Sequence, residues 1–139
     1  MGFSYVAAVA ILLSSSLIFF GIIYSDYVHS ETQLSNAQND QNKQMYDYIN
    51  SKVNITGYNV SPFNSVYNVT INMTNTGSIT LDLMSSNLLL NGSLENFSYS
   101  SEYLFPTANG SVTFQTSAGD YQVEIAFNTG YKVITEVKV

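Results

Sequence analysis

The stretch FSYVAAVAILLSSSLIFFGIIY, Phe3 to Tyr24, holds no charged residue and decides how the rest of the chain is read. At about 1.5 Å per residue, a helix of that length covers roughly 33 Å, enough to cross a hydrocarbon core of about 30 Å. Ser14, Ser15 and Ser16 lie mid-span. In a helix their hydroxyls bond carbonyls one turn earlier, which makes them tolerable in lipid. After Tyr24 the chain turns polar, asparagine-rich and acidic. The pattern predicts a transmembrane helix over 3–24, a polar stalk or linker over 25–52 and an extracytoplasmic β-sandwich over 53–139.

Two other readings of Phe3 to Tyr24 fit less well. A cleaved secretory signal has a basic start, a short apolar core and a small-x-small site. Here no Lys or Arg precedes the stretch, and Tyr24, Ser25 and Asp26 close it. A buried helix that is apolar all round needs apolar neighbours on every side, and the remaining chain has too few long apolar segments to supply them. Orientation follows from nearby charge. The first basic side chain after the span is Lys43, whereas Asp26, Glu31 and Asp40 lie closer. With the amino terminus as the nearby positive charge, the N-terminus is expected in the cytoplasm and the rest outside.

With 139 residues, one folded domain follows the anchor. The chain has no cysteine, so the domain relies on packing or on assembly rather than on disulfides. Ten carboxylates against four lysines give a net charge of −6. That balance excludes nucleic acid, whose phosphates need clustered Lys and Arg, and equally excludes docking on an anionic lipid surface.

Residues 25–52 contain no Pro and no Gly. Leu34, Gln38, Gln41, Met45 and Tyr48 recur at helical spacing, but the two glutamines make the stripe a poor coiled-coil seam. Two readings stay open for this segment: a helical stalk continuing the anchor, or a partly disordered polar linker around SNAQNDQNKQ.

From Val53 the period changes. Tyr67, Val69, Ile71 and Met73 alternate with Asn68, Thr70, Asn72 and Thr74, the signature of a strand with one dry and one wet face. Asn75-Thr76-Gly77-Ser78 is turn chemistry, after which Ile79, Leu81 and Leu83 read as the next strand. Leu88 to Leu90 is a short apolar run closed by the hairpin signal Asn91-Gly92. Leu94, Phe97 and Tyr99 read as a weaker strand, and Val112 and Phe114 alternate beyond Pro106 and Asn109-Gly110. Tyr121, Val123, Ile125 and Phe127 share one face. Asn128-Thr129-Gly130 joins them to Tyr131, Val133, Val137 and Val139 as an antiparallel hairpin. Short strands at this spacing, with turn signals between them, predict a β-sandwich. Tyr121 has two readings, a core aromatic first and a tyrosine corner second.

Little here supports catalysis. The single histidine, His29, lies on the polar stalk one turn after Asp26, and a solvated helix-face residue is the plainer reading. No nucleophile elbow, phosphate-cradling glycine loop or calcium loop is present, and no thiol exists for a metal site. Asp120, Glu124 and Glu136 could approach one another on neighbouring strands, but read more simply as solvent-facing charges that protect strand edges. A membrane-bound hydrolase would have to assemble its site from such scattered carboxylates. The expectation is therefore no enzyme, no cofactor and no metal.

Binding finds more support. Tyr58, Phe63, Tyr67, Tyr99, Tyr103 and Phe105 fall near loops or strand ends and suit an interface, although a core role is the safer reading of any one. Sequons begin at Asn54, Asn59, Asn68, Asn72, Asn91, Asn96 and Asn109. Asn59 is the weakest, because Pro62 follows its Ser61, and Asn68 and Asn72 rank first because one wet strand face carries both. Accidental matches on an Asn- and Thr-rich surface are the alternative.

Three stretches carry a family resemblance: VTINMTNTGSITLDL (Val69 to Leu83), LLLNGSLENFSY (Leu88 to Tyr99) and EYLFPTANGSVTF (Glu102 to Phe114). With the MGFS start, the apolar helix, the polar stalk and the small sandwich, they resemble the archaellum accessory protein F (FlaF) family. The resemblance spans nearly the whole chain, though each motif is short and shared with archaellins and pilin-like sandwiches. It implies an immunoglobulin-like domain between cell membrane and surface layer, a static component holding the rotary archaellum against the surface lattice. It also implies self-association as a homo-oligomer and pairing with archaellum accessory protein G. The second reading is a filament subunit, archaellin or type IV pilin-like, whose N-terminal helix packs in a filament core. Such precursors usually carry basic residues before the cleavage site, and here only Met1 precedes Gly2.

Overall fold

A computed structural model describes residues 2–139. The chain divides into two compact units, the first ending at Lys43 and the second running from Gln44 to Val139.

Helix α1 spans Gly2–Asn50, and none of its residues is buried. Its N-terminal part is long and apolar enough to cross a membrane, and is consistent with a membrane anchor. The mid-span serines turn their hydroxyls onto their own helix: Ser14 donates to the Ile11 carbonyl at 3.0 Å, Ser15 to Leu12 at 3.0 Å and Ser16 to Leu12 at 2.8 Å. None of these three hydroxyls is then left facing hydrocarbon unpaired. Residues 25–50 continue the helix. With no Pro or Gly to interrupt it, the polar stretch is held by same-face pairs such as Tyr27 to Glu31 at 2.7 Å, which keeps the Tyr27 phenol protonated to higher pH than usual.

The second unit is mainly antiparallel β. Its strands are β1 (Val53–Phe63), β2 (Val66–Asn75), β3 (Leu81–Asp82), β4 (Asn87–Leu90), β5 (Ser93–Glu95), β6 (Ser98–Tyr99), β7 (Tyr103–Leu104), β8 (Asn109–Thr116), β9 (Asp120–Ala126) and β10 (Lys132–Lys138). One sheet has the order β1-β2-β8-β6, a second β10-β9-β4-β5, and β3 pairs with β7 in a small ribbon. This is the immunoglobulin arrangement: β1, β2, β8 and β6 stand as strands A, B, E and D, while β10, β9 and β4 stand as G, F and C.

Period-2 alternation builds the core. Val69, Ile71 and Met73 of β2, with Val112 and Phe114 of β8, join Leu88 and Leu90 of β4, Val123 and Ile125 of β9, and Val137 of β10 in one buried cluster. The β9–β10 hairpin closes as expected, with Gly130 N–H donating to Phe127 O at 2.9 Å and the Phe127 and Tyr131 rings stacked at 6.3 Å. Asn91 (φ +50°) and Gly92 (φ +86°) form the β4–β5 turn, whose two left-handed residues match the strand twist. Tyr121 takes the core reading. Its ring packs on the core, and its hydroxyl lies 2.8 Å from Ser117 Oγ at the corner between β8 and β9. The partner is a side-chain hydroxyl rather than the backbone group of the usual corner.

Two expected strands come out differently. Ile79, Leu81 and Leu83 do not run on as a full strand; only Leu81–Asp82 pairs, with Leu104 and Tyr103. The reason lies in Asn75. Its side chain is fully buried and donates to the Ile79 and Leu104 carbonyls, both at 2.8 Å, while its Oδ1 accepts the Gly77 N–H at 2.9 Å. The following loop is held by the helix end: Thr76 and Gly77 N–H donate to Lys52 O at 2.8 and 2.9 Å, and Ser78 N–H to Asn50 O at 3.0 Å. Asn75-Thr76-Gly77-Ser78 turns as its composition suggests, and its N–H groups also hold the carbonyls at and just beyond the end of α1. Leu94, Phe97 and Tyr99 likewise split, with β5 in one sheet and β6 in the other, because the chain crosses between sheets at Phe97.

Gly77 is required by proximity. A Cβ there would strike Asn50 O and lie 2.7 Å from Lys52 N. Asp82 starts the next turn, with Ser85 donating its hydroxyl (2.7 Å) and its N–H (3.1 Å) to the carboxylate. These bonds hold the Asp82 carboxyl below its usual pKa.

Asn75→Ala leaves two carbonyls and one N–H of this junction without their partner. We expect a loss of about 2–4 kcal/mol in urea unfolding of the full chain in detergent, with Gly77→Ala also destabilising. A depressed folded-state pKa contributes stability above the unfolded value of about 3.9 and loses it as pH falls through the folded one. The melting midpoint should therefore drop in acid, and Asp82→Asn should flatten that drop.

Candidate functional site

Among the described residues the β-domain offers no buried constellation of reactive groups, so its candidate sites are surfaces. Asp120, Glu124 and Glu136 do share one surface, the outer face of the second sheet, but lysines are interleaved with them. Asp120 stands opposite Lys138, and Glu136 opposite Gln122. Glu124 meets Lys132 Nζ at 2.8 Å, a pairing that raises the lysine's pKa. Of the two strands β10 alone is a sheet edge, so Glu136 guards an edge while Glu124 sits inside the sheet on β9. Among the described residues no group of three or more His, Asp or Glu could hold a metal ion. His29 lies 3.0 Å from the Gln33 amide, and no ion pair to Asp26 forms among the described residues.

The six aromatics near loops and strand ends do not form the core. Phe63 is 49% exposed, Phe105 59%, and Tyr58, Tyr99 and Tyr103 are also exposed, while Tyr67 is half-buried. The buried core is aliphatic apart from Phe114 and Phe127, and the rings packed against it are those of Phe97, Tyr121 and Tyr131. The aromatics also occupy separate places. Tyr58, Phe63 and Tyr67 belong to the β1–β2 hairpin, Tyr99 pairs edge-to-face with Phe97 at 6.3 Å, and Tyr103 lies in the β3–β7 ribbon with Phe105 just beyond it. Tyr58 braces the sandwich, because its hydroxyl lies 3.4 Å from Lys138 N and ties the edge of one sheet to that of the other.

The sequons are distributed by register. Asn54, Asn59, Asn68, Asn72 and Asn109 all project from the outer face of the first sheet, since Asn54 pairs with Thr74, Asn59 with Thr70, and Thr74 in turn with Asn109. Asn96 sits at the margin of that face, in a groove it shares with Asn68, Ser98 and Thr113. Asn91 lies apart, in the β4–β5 turn, where its Oδ1 accepts the Gln122 N–H at 2.8 Å. Asn68 and Asn72 share the wet face, but neighbouring strands leave both half-buried, whereas Asn54, Asn59, Asn96 and Asn109 are exposed. A shallow groove of about 590 Å³ crosses the same face, lined by Thr56, Asn72, Ser100, Asn109 and Ser111. Strand β1, with its bulge between Ile55 and Gly57 and its Asn64-Ser65 turn, was the element least visible in sequence.

The fold resembles that of an archaellum stator protein. That structure, the archaellum periplasmic stator protein FlaG from Sulfolobus acidocaldarius, superposes with a TM-score of 0.50 at 17% sequence identity. The match covers 63% of this chain and 99% of FlaG, and at that identity it is a likeness of fold. A Bacillus subtilis protein, YcdA, assigned as a lipoprotein, matches more loosely, with a TM-score of 0.42 at 15% identity over 64% of this chain and 38% of that one. No protein-family model matches the chain, and no curated protein matches it in sequence.

Exposed and core aromatics should separate cleanly on truncation. Phe63→Ser and Phe105→Ser are expected to shift unfolding free energy by no more than about 0.5 kcal/mol. Phe114→Ala should cost about 3–5 kcal/mol. Thermal melts of the full chain in detergent, followed by the β-sheet circular dichroism signal, provide the check.

Proposed function

We propose that this chain is a membrane-anchored structural component of the archaellum machinery, of the FlaF type. On this reading the apolar part of α1 lies in the cell membrane with its N-terminus in the cytoplasm. The β-domain stands between membrane and surface layer and binds surface-layer protein, archaellum accessory protein G, or both, as a stator. The fold likeness to an archaellum stator over 99% of that protein is the observation that carries the reading. The three stretches that resemble the FlaF family favour F over G within the accessory proteins.

The role is mechanical rather than catalytic. A stator needs an insoluble anchor, a spacer and an adhesive head, and none of these requires an active site. A single span resists torque only weakly, so several copies or a lattice contact are part of the reading. The alternative, a filament subunit, draws on the same exposed apolar helix, since neighbouring helices in a filament shaft would cover it as well as lipid does.

The test is affinity purification of the full chain from native membranes, followed by identification of what accompanies it. Surface-layer protein or accessory protein G should copurify. Recovery of neither, or recovery of the chain within sheared filaments with its N-terminus processed, would overturn the stator reading.

A further inference from the structure

We infer that the outer face of the first sheet is a glycan-bearing face, with N-linked sugar on Asn54, Asn59, Asn68, Asn72 and Asn109 and with Asn96 at its margin. The inference rests on the extracytoplasmic placement proposed above. Three independent features of this face support it.

The first is geometric. Residues i and i+2 of a strand point the same way, so a sequon within a strand presents its Asn and its hydroxyl together on one face. On β2 two sequons abut as Asn68, Thr70, Asn72, Thr74, all directed outward. The cross-strand register then spaces the acceptors. One row reads Asn54, Thr74, Asn109; the next Gly57, Asn72, Ser111; then Asn59, Thr70, Thr113; then Ser61, Asn68, Gln115. No Asn stands directly opposite another. With rows two residues apart and strands about 4.8 Å apart, neighbouring acceptors are separated by roughly 8 Å or more, which leaves room for a sugar on each.

The second feature is charge. None of those rows contains Asp, Glu, Lys or Arg, whereas the outer face of the second sheet carries Asp120, Glu124, Lys132, Glu136 and Lys138. A bare solvent-facing sheet ordinarily keeps itself soluble with charge; a sugar-coated one has no need of it. The third feature is the edge. β1 is an eleven-residue edge strand without a charged side chain. Such edges invite pairing with other chains, and glycans on Asn54 and Asn59 would cover this one beyond what Gly57 and Pro62 achieve.

In the transfer step, the asparagine Nδ2 forms a bond to the anomeric carbon of a polyprenyl-phosphate-linked oligosaccharide. The bond from that carbon to the carrier phosphate breaks. The phosphate leaves with the electron pair, and the amide gives up one proton.

The experiment is glycopeptide mapping by mass spectrometry on the full chain isolated from its native host, with the triple variant Asn54→Gln, Asn59→Gln, Asn109→Gln alongside. We expect sugar mass on at least one of the three exposed acceptors and its loss in the variant, with an unchanged melt. A bare face, or sugar confined to Asn91, overturns the inference, and the native map decides alone should the variant not fold. A membrane-impermeant amine reagent applied to intact cells separates the two readings. Labelled Lys132 and Lys138 with a bare face reject only the glycan face, whereas unlabelled lysines reject the external placement itself.

Discussion

The Asn75 side chain is the constraint on which the rest of the β-domain turns. It is the one fully buried amide among the described residues, and it holds both ends of the loop that follows it, at Gly77 and Ile79, together with the Leu104 carbonyl of β7. Its own backbone accepts from Thr107 N–H at 2.8 Å and donates to Ala108 O at 3.0 Å. One residue thus aligns the end of β2, the path toward the second sheet and the approach to β8. The bond to the Leu104 carbonyl is buried and those to Ile79 and Gly77 are part-buried, and a buried backbone group without water needs such a partner. The left-handed Thr107 (φ +66°) is a β-branched residue in a conformation it disfavours, and the Asn75 carbonyl helps keep it there.

What could be read directly from the residues was whatever a short-range period reveals. The apolar helix announces itself by length and composition. β2, β8, β9 and β10 announce themselves by strict alternation, and the β4–β5 hairpin by Asn91-Gly92. What the sequence did not show has one physical cause: it depends on partners far along the chain. Asn75-Thr76-Gly77-Ser78 has turn composition, and nothing local says that its N–H groups will meet carbonyls of Asn50 and Lys52. Leu94 and Tyr99 look like one strand, since the crossing at Phe97 appears only once both sheets exist. Exposure of Phe63 and Phe105 was equally hidden, because a ring's burial depends on how little interior a small sandwich has. The sequons were visible singly, but their gathering on one face needed the register of three strands.

The two outer faces of the sandwich are chemically unlike. One is uncharged, amide and hydroxyl apart from Gly57 and the terminal Phe63–Val66 rung; the other alternates carboxylates and lysines around Leu89, Leu94 and Ile134. Fold likeness to an archaellum stator says nothing about which face works. The asymmetry belongs to this chain's own residues, and arises because β-structure separates odd from even positions onto opposite sides.

The way α1 ends has a mechanical corollary. Its last carbonyl and that of Lys52 are held by backbone N–H groups of residues 76–78, next to the start of β1. Tension applied at Asn50 would not enter through β1 alone and peel that edge strand away rung by rung. It would divide between β1 and the segment leaving β2, loading two neighbouring strands along their length, where the rungs of a sheet must yield together rather than one after another.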